Sequence, residues 1–541
     1  MKHHQHITEL GPLLQSFGIR QVIICPGSRN APLMQLFTSQ SWFRCTSIVD
    51  ERSAGYVALG MARQLQEPVV VLTTSGTAVL NLAPAMAEAY HQQIPLIVIT
   101  ADRPLEKIPQ FNNQWIDQEA PFFAYSKGFY QLPLPVTEPD VLTQVIRQTE
   151  SLVHSAISLP AGPVHMNIPL EEPLYEPLPP VLEGMDHQNH HPEAKEPVPG
   201  FGVLEANTKI MILAGMGEHG KDLTERLLKL LRECQSVVIA ENIANLPCDH
   251  FISQPELLLA GVEEDGAAGL IPDLLISFGG QVVSKRLKLF LQKLPNLVHV
   301  EIDGHAEASL AQLAESVSRS GHPSPVNRYL EAWKLEQERA GEIVKKKLHT
   351  LGFGNLWVIQ AILAAVPPGS VIHLGNSSTI RYSQVLPHRK DLTYYSNRGT
   401  SGIDGSVSAA VGAAMVSDRM HILLVGDLSF VYDSNALWNR NFPENLKIVV
   451  LNDQGGGIFR LLKGPSEMNF FEEFLVTHHP VFPELLAQSF GRPAVHVGNR
   501  EELKGAIDVL FNPGSTLSVL DVDTSKQENS LIFKEFINLN H

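Results

Sequence analysis

Four apolar runs decide the fold of this chain: QVIICPG at 21–27, SIVDE at 47–51, PVVVLTTSG at 68–76 and PLIVITAD at 95–102. Each run ends in a turn signal or a polar residue, and stretches of helical length separate the runs. Apolar runs without polar alternation are typical of strands that are covered on both faces, as in parallel sheets with crossover helices. The pattern therefore predicts an open α/β domain.

The same pattern occurs twice more along the chain. The middle runs are KIMILAG, QSVVIAEN, DLLISFGG and NLVHVEIDG, and the later runs are SVIHLGNSS, DLTYYSNRG, HILLVGDLS, KIVVLNDQGGG and STLSVLDVD. A length of 541 residues suits about three domains. We expect an α/β protein of three successive open domains with mainly parallel sheets, at 1–178, 201–345 and 346–541.

Residues 179–200 are rich in Pro, Glu and His and have no periodicity, so we expect a linker there. His187, His190 and His191 lie in it. Histidines without rigid support are more typical of a solvated linker than of a metal site, so the linker interpretation is preferred.

Composition excludes several classes of protein. With 44% hydrophobic and 18% charged residues, the chain can form large cores and is not disordered. The net charge of −16 repels nucleic acid and anionic membranes, so we expect no nucleic-acid partner and no membrane insertion. Four cysteines without C-x-x-C spacing indicate reduced thiols, and we expect a cytoplasmic location.

A glycine motif in the middle domain has two interpretations. Gly215, Gly217 and Gly220 form G-x-G-x-x-G after a predicted strand, and Glu241 ends the next strand, as in dinucleotide-binding loops. Asp222 stands where a phosphate loop has Ser or Thr. The alternative is a tight strand-to-helix turn that binds nothing, and the sequence leaves both open.

Two predicted strand ends in the third domain offer oxygen ligands. One is followed by Gly426-Asp427-Leu428-Ser429, and the next by Asn452-Asp453-Gln454-Gly455. Carboxylates and carbonyls suit a hard divalent cation, and a helix that starts after Gly426 would direct backbone N–H groups at a phosphate. The pattern predicts a metal-bridged diphosphate site, although Asp427 alone could also be an ordinary helix cap.

Glu51 ends the second run of the first domain. It could simply stabilise the first turn of the following helix. Alternatively, it could hydrogen-bond a ring nitrogen of a cofactor, because apolar neighbours such as Val49, Ala54 and Val57 would favour its protonated form.

The pairing of this glutamate with a later G-D-x-S…N-x-x-G motif resembles thiamine diphosphate enzymes. Longer segments are similar to the menaquinone-pathway family of 2-succinyl-5-enolpyruvyl-6-hydroxy-3-cyclohexene-1-carboxylate (SEPHCHC) synthases. These segments are CPGSRNAPL (25–33), DERSAGYVALGMA (50–62), TTSGTAVLNLAPAMAEA (73–89), ITADRP (99–104), GNSSTIR (375–381), SNRGTSGIDG (396–405) and GDLSFVYDSNAL (426–437).

The resemblance implies a thiamine diphosphate-dependent transferase or carboligase. Such an enzyme decarboxylates 2-oxoglutarate and adds the resulting succinic semialdehyde–thiamine diphosphate carbanion to isochorismate. The three domains would be a pyrimidine-binding domain, a central Rossmann-like domain and a diphosphate- and metal-binding domain. Glu51 would be catalytic through the aminopyrimidine N1′, and further cofactor contacts are implied for Ser377, Ile403, Gly426, Asp427, Leu428 and Ser429. Mg²⁺ or Mn²⁺ would be held by Asp427, Asp453 and Gly455.

Both implied substrates are dicarboxylates, which guanidinium groups bind well. The resemblance implies substrate contacts for Ser28, Arg29, Arg103, Asn113, Gln114, Lys285, Arg286, Ser377, Arg381, Arg398 and Phe459. Taken singly, each arginine is better explained by an exposed position or a structural ion pair, whereas the occurrence of four arginines within matching motifs favours the substrate role.

The chain departs from the broader family at Asn452-Asp453, where paired asparagines are common. The carboxylate of Asp453 leaves the choice among magnesium, manganese and calcium open. In the resembled family two chains hold one cofactor, which implies a homodimer or homotetramer. Two rival interpretations remain: a related carboligase or decarboxylase that acts on pyruvate, and a nonenzymatic nucleotide-binding regulator that uses the Gly215 loop.

Overall fold

A computed structural model describes residues 4–104, 114–134, 136, 138–182, 204–205, 207–262, 268–302, 304, 306–319, 326–461 and 464–539. The predicted linker lies outside the described residues from 183 onward, together with its three histidines. The chain forms two compact units. The first unit comprises 1–195, 399–418 and 435–443, and the second unit comprises 196–398, 419–434 and 444–541. The predicted domain boundaries stay predictions.

Three of the first four apolar runs contain strands of a parallel six-stranded sheet in the first unit, whereas the run SIVDE shares only Ser47 with a strand and otherwise follows it. Its order is β2-β1-β3-β4-β6-β5. Every residue of β3 and β4 is buried, as expected for central strands that helices cover on both faces. The strands are β1 (Gln21–Ile24), β2 (Arg44–Ser47), β3 (Val69–Thr73), β4 (Leu96–Asp102), β5 (Phe129–Gln131) and β6 (Val164–Pro169).

Helices connect these strands, as crossover connections require. They are α1 (Gln5–Ser16), α2 (Ala31–Ser39), α3 (Glu51–Leu65), α4 (Thr77–Leu80), α5 (Ala83–Gln92) and α6 (Pro139–Ile157), with a 3₁₀ turn at Phe123–Tyr125.

A four-stranded parallel sheet forms the start of the second unit. Its order is β10-β9-β7-β8, with β7 (Ile210–Ala214), β8 (Ser236–Ala240), β9 (Leu274–Phe278) and β10 (Val298–Ile302). The helices of this part are α7 (Lys221–Glu233), α8 (Pro255–Leu258), α9 (Lys285–Gln292), α10 (Ala306–Arg319) and α11 (Arg328–Thr350), with a 3₁₀ turn at Asn242–Ala244.

The third sheet, also in the second unit, repeats the strand order of the first. Its six parallel strands follow the order β12-β11-β13-β14-β16-β15, with β11 (Val371–Leu374), β12 (Thr393–Tyr395), β13 (His421–Gly426), β14 (Leu446–Asn452), β15 (Ala494–Val497) and β16 (Val519–Asp523). The prediction of three mainly parallel α/β sheets is therefore confirmed.

The remaining helices complete the chain. They are α12 (Asn355–Ala365), α13 (Ser378–Gln384), α14 (Ser406–Met415), α15 (Asp427–Tyr432), α16 (Pro483–Ser489), α17 (Arg500–Leu510) and α18 (Asn529–Ile537). Short 3₁₀ turns occur at Ser434–Ala436, Gly457–Leu461 and Pro465–Glu467, and a π-helix at Phe471–Val476.

Two glycines allow α3 and α14 to pack closely in the first unit. A Cβ on Gly60 would lie 2.0 Å from the carbonyl oxygen of Ala409. A Cβ on Gly412 would lie 1.9 Å from that of Val57. Any side chain at either position would have to push the helix backbones apart, so this contact requires glycine on both helices.

No single helix in the described ranges is both long and apolar enough to cross a membrane. Within the described ranges, α11 and α12 have sufficient length and apolar character only when they are taken together, and the chain bends by 101° between them.

Candidate active site

Glu51 is the first residue of α3, directly after its N-cap. The N-cap is Asp50, whose carboxylate accepts the backbone N–H groups of Arg52 at 2.9 Å and Ser53 at 3.3 Å. Asp50 is therefore the residue that caps the helix, and Glu51 lies in the first turn, where its carboxylate is also compatible with the alternative of stabilising that turn. Burial is the largest cause that raises the pKa of Glu51, and the charge of Asp50 also raises it. The carboxyl group is therefore suited to sharing a proton.

The loop that carries Ile403 is held to α3 within the first unit. The hydroxyl of Tyr56 donates to Asp404 at 3.1 Å, and the hydroxyls of Ser53 and Ser408 lie 2.9 Å apart. Ile403 itself is 36% exposed, which is high for an isoleucine in a loop that is held by hydrogen bonds on its C-terminal side. An apolar side chain held in this way can support a flat ligand.

Glu88 fixes the start of the same loop, and no motif in the sequence singles it out. Its fully buried carboxylate accepts the backbone N–H groups of Gly399 and Thr400, each at 2.7 Å. A hydrogen bond to a buried charge is strong, so Glu88 holds the backbone that leads to Ile403.

Arg29 and Arg103 lie near each other in the first unit. Burial lowers the pKa of Arg29, and the charge of Arg103 lowers it further. Arg29 donates to the carbonyl of Leu170 at 3.1 Å and lies 3.3 Å from the exposed carboxylate of Glu172. The Nε of Arg103 is buried and has no hydrogen-bond partner among the described residues. The pair could bind an anion.

The other predicted contacts of the first unit are less informative. Ser28 forms a turn in which its carbonyl accepts the N–H of Ala31 at 3.2 Å. The carbonyl of Gln114 accepts the hydroxyl of Ser75 at 3.0 Å. Asn113 lies outside the described residues.

The two acidic strand ends meet in the second unit. Asp427 follows β13 and is 2% exposed, and its Oδ2 accepts the N–H of Gly455, after β14, at 2.8 Å. Its Oδ1 accepts the N–H of Leu428 at 2.7 Å. The helix expected after Gly426 is present as α15, which also contains Ser429.

Asp453 lies close enough to Asp427 for the two charges to interact. Burial raises the pKa of Asp453 well above its ordinary value, and the charge of Asp427 raises it further. Two adjacent ionised carboxylates repel each other, and a nearby cation offsets that repulsion. A divalent ion would supply that cation, and the carbonyl of Gly455 would be a third oxygen of the kind that such ions prefer. The donor set therefore fits the predicted metal.

His479 also contacts the acidic pair and was missed by sequence reasoning. Its Nε2 lies 3.2 Å from Oδ2 of Asp427, and that contact is the main cause that raises its pKa. A histidine 52 residues after its partner carries no local spacing signal. Phe459 lies on the 3₁₀ turn Gly457–Leu461, where its ring lies 3.2 Å from the Cβ position of Gly456.

Ser377 adopts a strained backbone at the start of α13. Its φ is 71° and its ψ is −122°, a conformation that costs a residue with a side chain about 1–3 kcal/mol. Such strain is concentrated at binding and catalytic sites, in agreement with the predicted contact to the cofactor.

Two predicted cations lie near this strained residue. Arg381 is on α13, and its Nε is buried with no hydrogen-bond partner in the described chain. Arg398 follows β12 and donates from Nη1 to Asn376 at 3.3 Å. Both act electrostatically on Lys288 of α9, which the sequence did not single out.

The two basic residues predicted at the start of α9 have different surroundings. Lys285 is exposed. The backbone N–H of Arg286 donates to the carboxylate of Glu256 at 3.0 Å, and its Nη1 donates to the carbonyl of Glu256 at 3.1 Å. Arg286 is thus already held by protein groups.

The Gly215 loop has a packing role. A Cβ on Gly215 would lie 1.8 Å from the carbonyl of Gly280, and a Cβ on Gly217 would lie 3.0 Å from the ring of His219. Glu241 is 2% exposed, and its two oxygens accept the N–H groups of Val283 and Ser284. Glu241, the acid that would bind a ribose hydroxyl, therefore already accepts hydrogen bonds from the protein backbone. This favours the interpretation of the Gly215 loop as a tight turn without a ligand.

Comparison with known proteins agrees with this geometry. Residues 10–121 match the thiamine pyrophosphate enzyme N-terminal TPP binding domain, and residues 375–522 match the C-terminal TPP binding domain. The SEPHCHC synthase of Desulfotalea psychrophila is 41% identical over 91% of this chain and 93% of that protein. Those of Flavobacterium johnsoniae and Bacteroides thetaiotaomicron are each 34% identical, over 96% and 98% of this chain and the same shares of the relatives.

These matches cover nearly the whole chain and confirm the resemblance inferred from its motifs. The chain therefore belongs to the 2-succinyl-5-enolpyruvyl-6-hydroxy-3-cyclohexene-1-carboxylate synthase family of thiamine diphosphate-dependent enzymes.

Proposed function

We propose that this chain decarboxylates 2-oxoglutarate and adds the remaining four-carbon unit to isochorismate, as a SEPHCHC synthase of menaquinone biosynthesis. The observation that carries the proposal is that two kinds of charged group occur together in the second unit. It combines a pair of acids suited to a divalent cation with partly buried cations suited to a carboxylate. A diphosphate cofactor and a dicarboxylic substrate need this combination.

When bound, thiamine diphosphate supplies the electron sink for decarboxylation and for the formation of the new carbon–carbon bond. We assign Mg²⁺ or Mn²⁺ to Asp427, Asp453 and the carbonyl of Gly455. We assign the cofactor's diphosphate to the Gly426–Ser429 segment and a further cofactor contact to Ser377. Asp453 supports this assignment because its pKa is raised beside the charge of Asp427, which a divalent cation would compensate.

The proton chemistry is assigned to Glu51. Its carboxyl group would hold a proton at the pyrimidine N1′, and its raised pKa supports that role. Ile403 would give the cofactor an apolar contact. Its exposed fraction of 36% is compatible with a ligand that covers it.

The two substrates are assigned to different clusters of cations. Arg29 and Arg103, with Ser28, Asn113 and Gln114, would bind isochorismate. Ser377 and Arg381 would bind the part that 2-oxoglutarate contributes. Arg398, Lys285 and Arg286 would provide the remaining carboxylate contacts, and Phe459 would shape the apolar wall. The buried Nε atoms of Arg103 and Arg381, which have no hydrogen-bond partner among the described residues, support an anion in each place.

We further propose a homodimer or homotetramer in the cytoplasm. Glu51 belongs to the first unit and Asp427 to the second, and the family binds one cofactor between two chains. Four free cysteines are compatible with a reducing compartment. Sedimentation in the presence of cofactor and Mg²⁺ tests the assembly, and a monomer with full activity would refute it.

One assay tests the function. Purified protein with thiamine diphosphate and Mg²⁺ is supplied with 2-oxoglutarate or pyruvate, each with and without isochorismate, and the adducts are identified by mass spectrometry. We expect the SEPHCHC adduct from 2-oxoglutarate and isochorismate. Preferred turnover of pyruvate would support the related carboligase instead. Nucleotide binding without turnover would support a regulator.

A further inference from the structure

Three cations of the second unit, Arg381, Arg398 and Lys288, form what we call the α9–α13 cation cluster. Lys288 is partly buried on α9, and its ammonium makes no hydrogen bond or ion pair with any described residue. The Nε of Arg381 is likewise buried and unpaired in the described chain. Partly buried cations without anionic partners are unusual in a protein and are typical of a site that receives an anion.

Contacts between neighbouring elements explain how the cluster is built. Asn242, just after β8, donates from Nδ2 to the hydroxyl of Ser383 at 3.4 Å and accepts from the amide of Gln384. These contacts attach the end of β8 to α13, which carries Arg381. The preceding residue, Glu241, accepts the backbone N–H of Ser284 at 2.7 Å and so attaches the same strand end to the start of α9.

Glu241 also supplies the cluster's only acid among the charges that act on Lys288 in the described structure. Its oxygens are already taken by backbone N–H groups, and its side chain is 2% exposed. Three cations less one carboxylate leave a net charge of +2 for these four groups. The whole chain carries a net charge of −16, whereas these four groups together carry a positive charge. The cluster therefore attracts anions locally.

The cations also act on one another. Burial is the largest cause that lowers the pKa of Lys288, and the charges of Arg398 and Arg381 lower it further, against the opposing effect of Glu241. A carboxylate between the three cations would replace this repulsion with charge-assisted hydrogen bonds.

The helix that carries Arg381 also approaches the acidic pair. Tyr382 follows Arg381 on α13, and after burial the charge of Asp453 is the next cause that raises its pKa. A ligand carboxylate in the cluster would therefore lie near the proposed metal and cofactor site of the same unit.

We propose that Lys288 joins Arg381 and Arg398 in binding the carboxylate that 2-oxoglutarate retains after decarboxylation, and that it thereby selects a dicarboxylic over a monocarboxylic 2-oxo acid. The proposal rests on the proposed function and deepens it. Glu241 is then a positioning residue, since it fixes the start of the helix that carries Lys288 and touches no substrate. On this view Lys288, three residues further along α9, contributes more to this subsite than the exposed Lys285.

The test compares Lys288→Met with Lys293→Met, which alters an exposed lysine at the other end of the same helix. Steady-state kinetics are measured for isochorismate, pyruvate and 2-oxoglutarate, with melting temperatures to check folding. For Lys288→Met we expect the Michaelis constant for the dicarboxylic oxo acid to rise about tenfold or more, the loss expected for one charge-assisted contact. The Michaelis constant for isochorismate should change little, and the preference for 2-oxoglutarate over pyruvate should fall.

Lys288→Arg should recover part of the affinity because it restores the charge, and Lys293→Met should resemble the wild type. If a folded Lys288→Met enzyme keeps the wild-type Michaelis constant for the dicarboxylic oxo acid, the role of Lys288 is overturned and the proposed function stays intact. A larger increase of this constant in Lys285→Met than in Lys288→Met would overturn the role as well. Wild-type protein that consumes no 2-oxoglutarate would refute the proposed function, and this proposal with it.

Discussion

Oδ2 of Asp427 accepts the backbone N–H of Gly455 at 2.8 Å. This bond joins two segments that follow neighbouring parallel strands, β13 and β14. Gly455 has a φ of 153°, and a Cβ there would lie 2.7 Å from the carbonyl of Val476. The glycine is thus needed both for the backbone conformation and for the space beside the carboxylate.

Replacement of Asp427 should weaken metal-dependent binding of the cofactor. Asp427→Ala removes the carboxylate, and we expect affinity for thiamine diphosphate at limiting Mg²⁺ to fall at least about tenfold, the cost of one strong charged contact. Isothermal titration calorimetry measures the change. Asp427→Asn keeps the shape and an acceptor for Gly455, so it separates a folding defect from loss of the charge. Asp418→Asn, on an exposed turn, is the control, and wild-type affinity in both Asp427 variants would contradict the ligand role.

Glu51→Gln should retain most cofactor binding and lose most turnover. The substitution preserves the side-chain shape but removes the group that can share a proton, and loss of proton transfer costs roughly 10²–10⁴-fold in rate. Cofactor affinity and kcat are measured on the same preparation. The neighbouring Asp50→Asn keeps a side chain able to cap α3 and should lose far less activity. Full turnover in Glu51→Gln would refute the proposed proton chemistry.

Two glycine substitutions should have opposite effects on stability. Gly60→Ala would place a Cβ 2.0 Å from the carbonyl of Ala409, and overpacking of this kind costs about 1–3 kcal/mol. Gly505 lies inside α17 with no atom within 4 Å of the Cβ position. Gly505→Ala should therefore raise stability by up to about 1 kcal/mol, since alanine favours a helix. Thermal unfolding measures both, and a lower melting temperature for Gly505→Ala would contradict the packing described.

Stability should fall in mild acid, partly because of His165. The ring is 1% exposed and lies against Phe122 and Phe129, and burial lowers its pKa to about 3. Protonation is therefore easier in the unfolded chain. The contribution of this group is complete above the ordinary pKa near 6.5 and is lost as the pH falls from there toward 3, by up to roughly 5 kcal/mol.

The prediction is tested with His165→Gln. In the wild type the hydroxyl of Thr100 lies 2.8 Å from Nε2 of His165, and a glutamine side chain can still hydrogen-bond that hydroxyl. Melting temperatures of the variant should decline less steeply than those of the wild type between about pH 7 and pH 5. Parallel declines would show that another group controls the acid sensitivity.

Local pattern predicted most of the strands and the two acidic positions, but it placed the second strand too late, because SIVDE contributes only Ser47 to β2 (Arg44–Ser47). The run SIVDE begins at the end of β2, and its last two residues become the N-cap and first residue of α3. The apolar runs before Asp427 and Asp453 form the adjacent strands β13 and β14. These positions follow from strand periodicity and from the shared edge of a parallel sheet, both of which are encoded over a few residues.

Contacts between distant segments could not be predicted in this way. Nothing near Glu88 indicates that its partners are Gly399 and Thr400, about 311 residues later. In KRLKL the sequence offers three basic residues, and only the fold separates the exposed Lys285 from the partly buried Lys288. The helix periodicity of such a short segment does not reveal which face another element will cover.

The first and third sheets share the strand order 2-1-3-4-6-5 in their own numbering. The common order means that equivalent strand ends occupy equivalent places in the two sheets, whatever residues follow them. Equivalent loops now carry opposite charges: Glu51 follows β2, whereas Arg398 follows β12. Substitutions in these loops can therefore change what each sheet edge attracts while the arrangement of the strands stays the same.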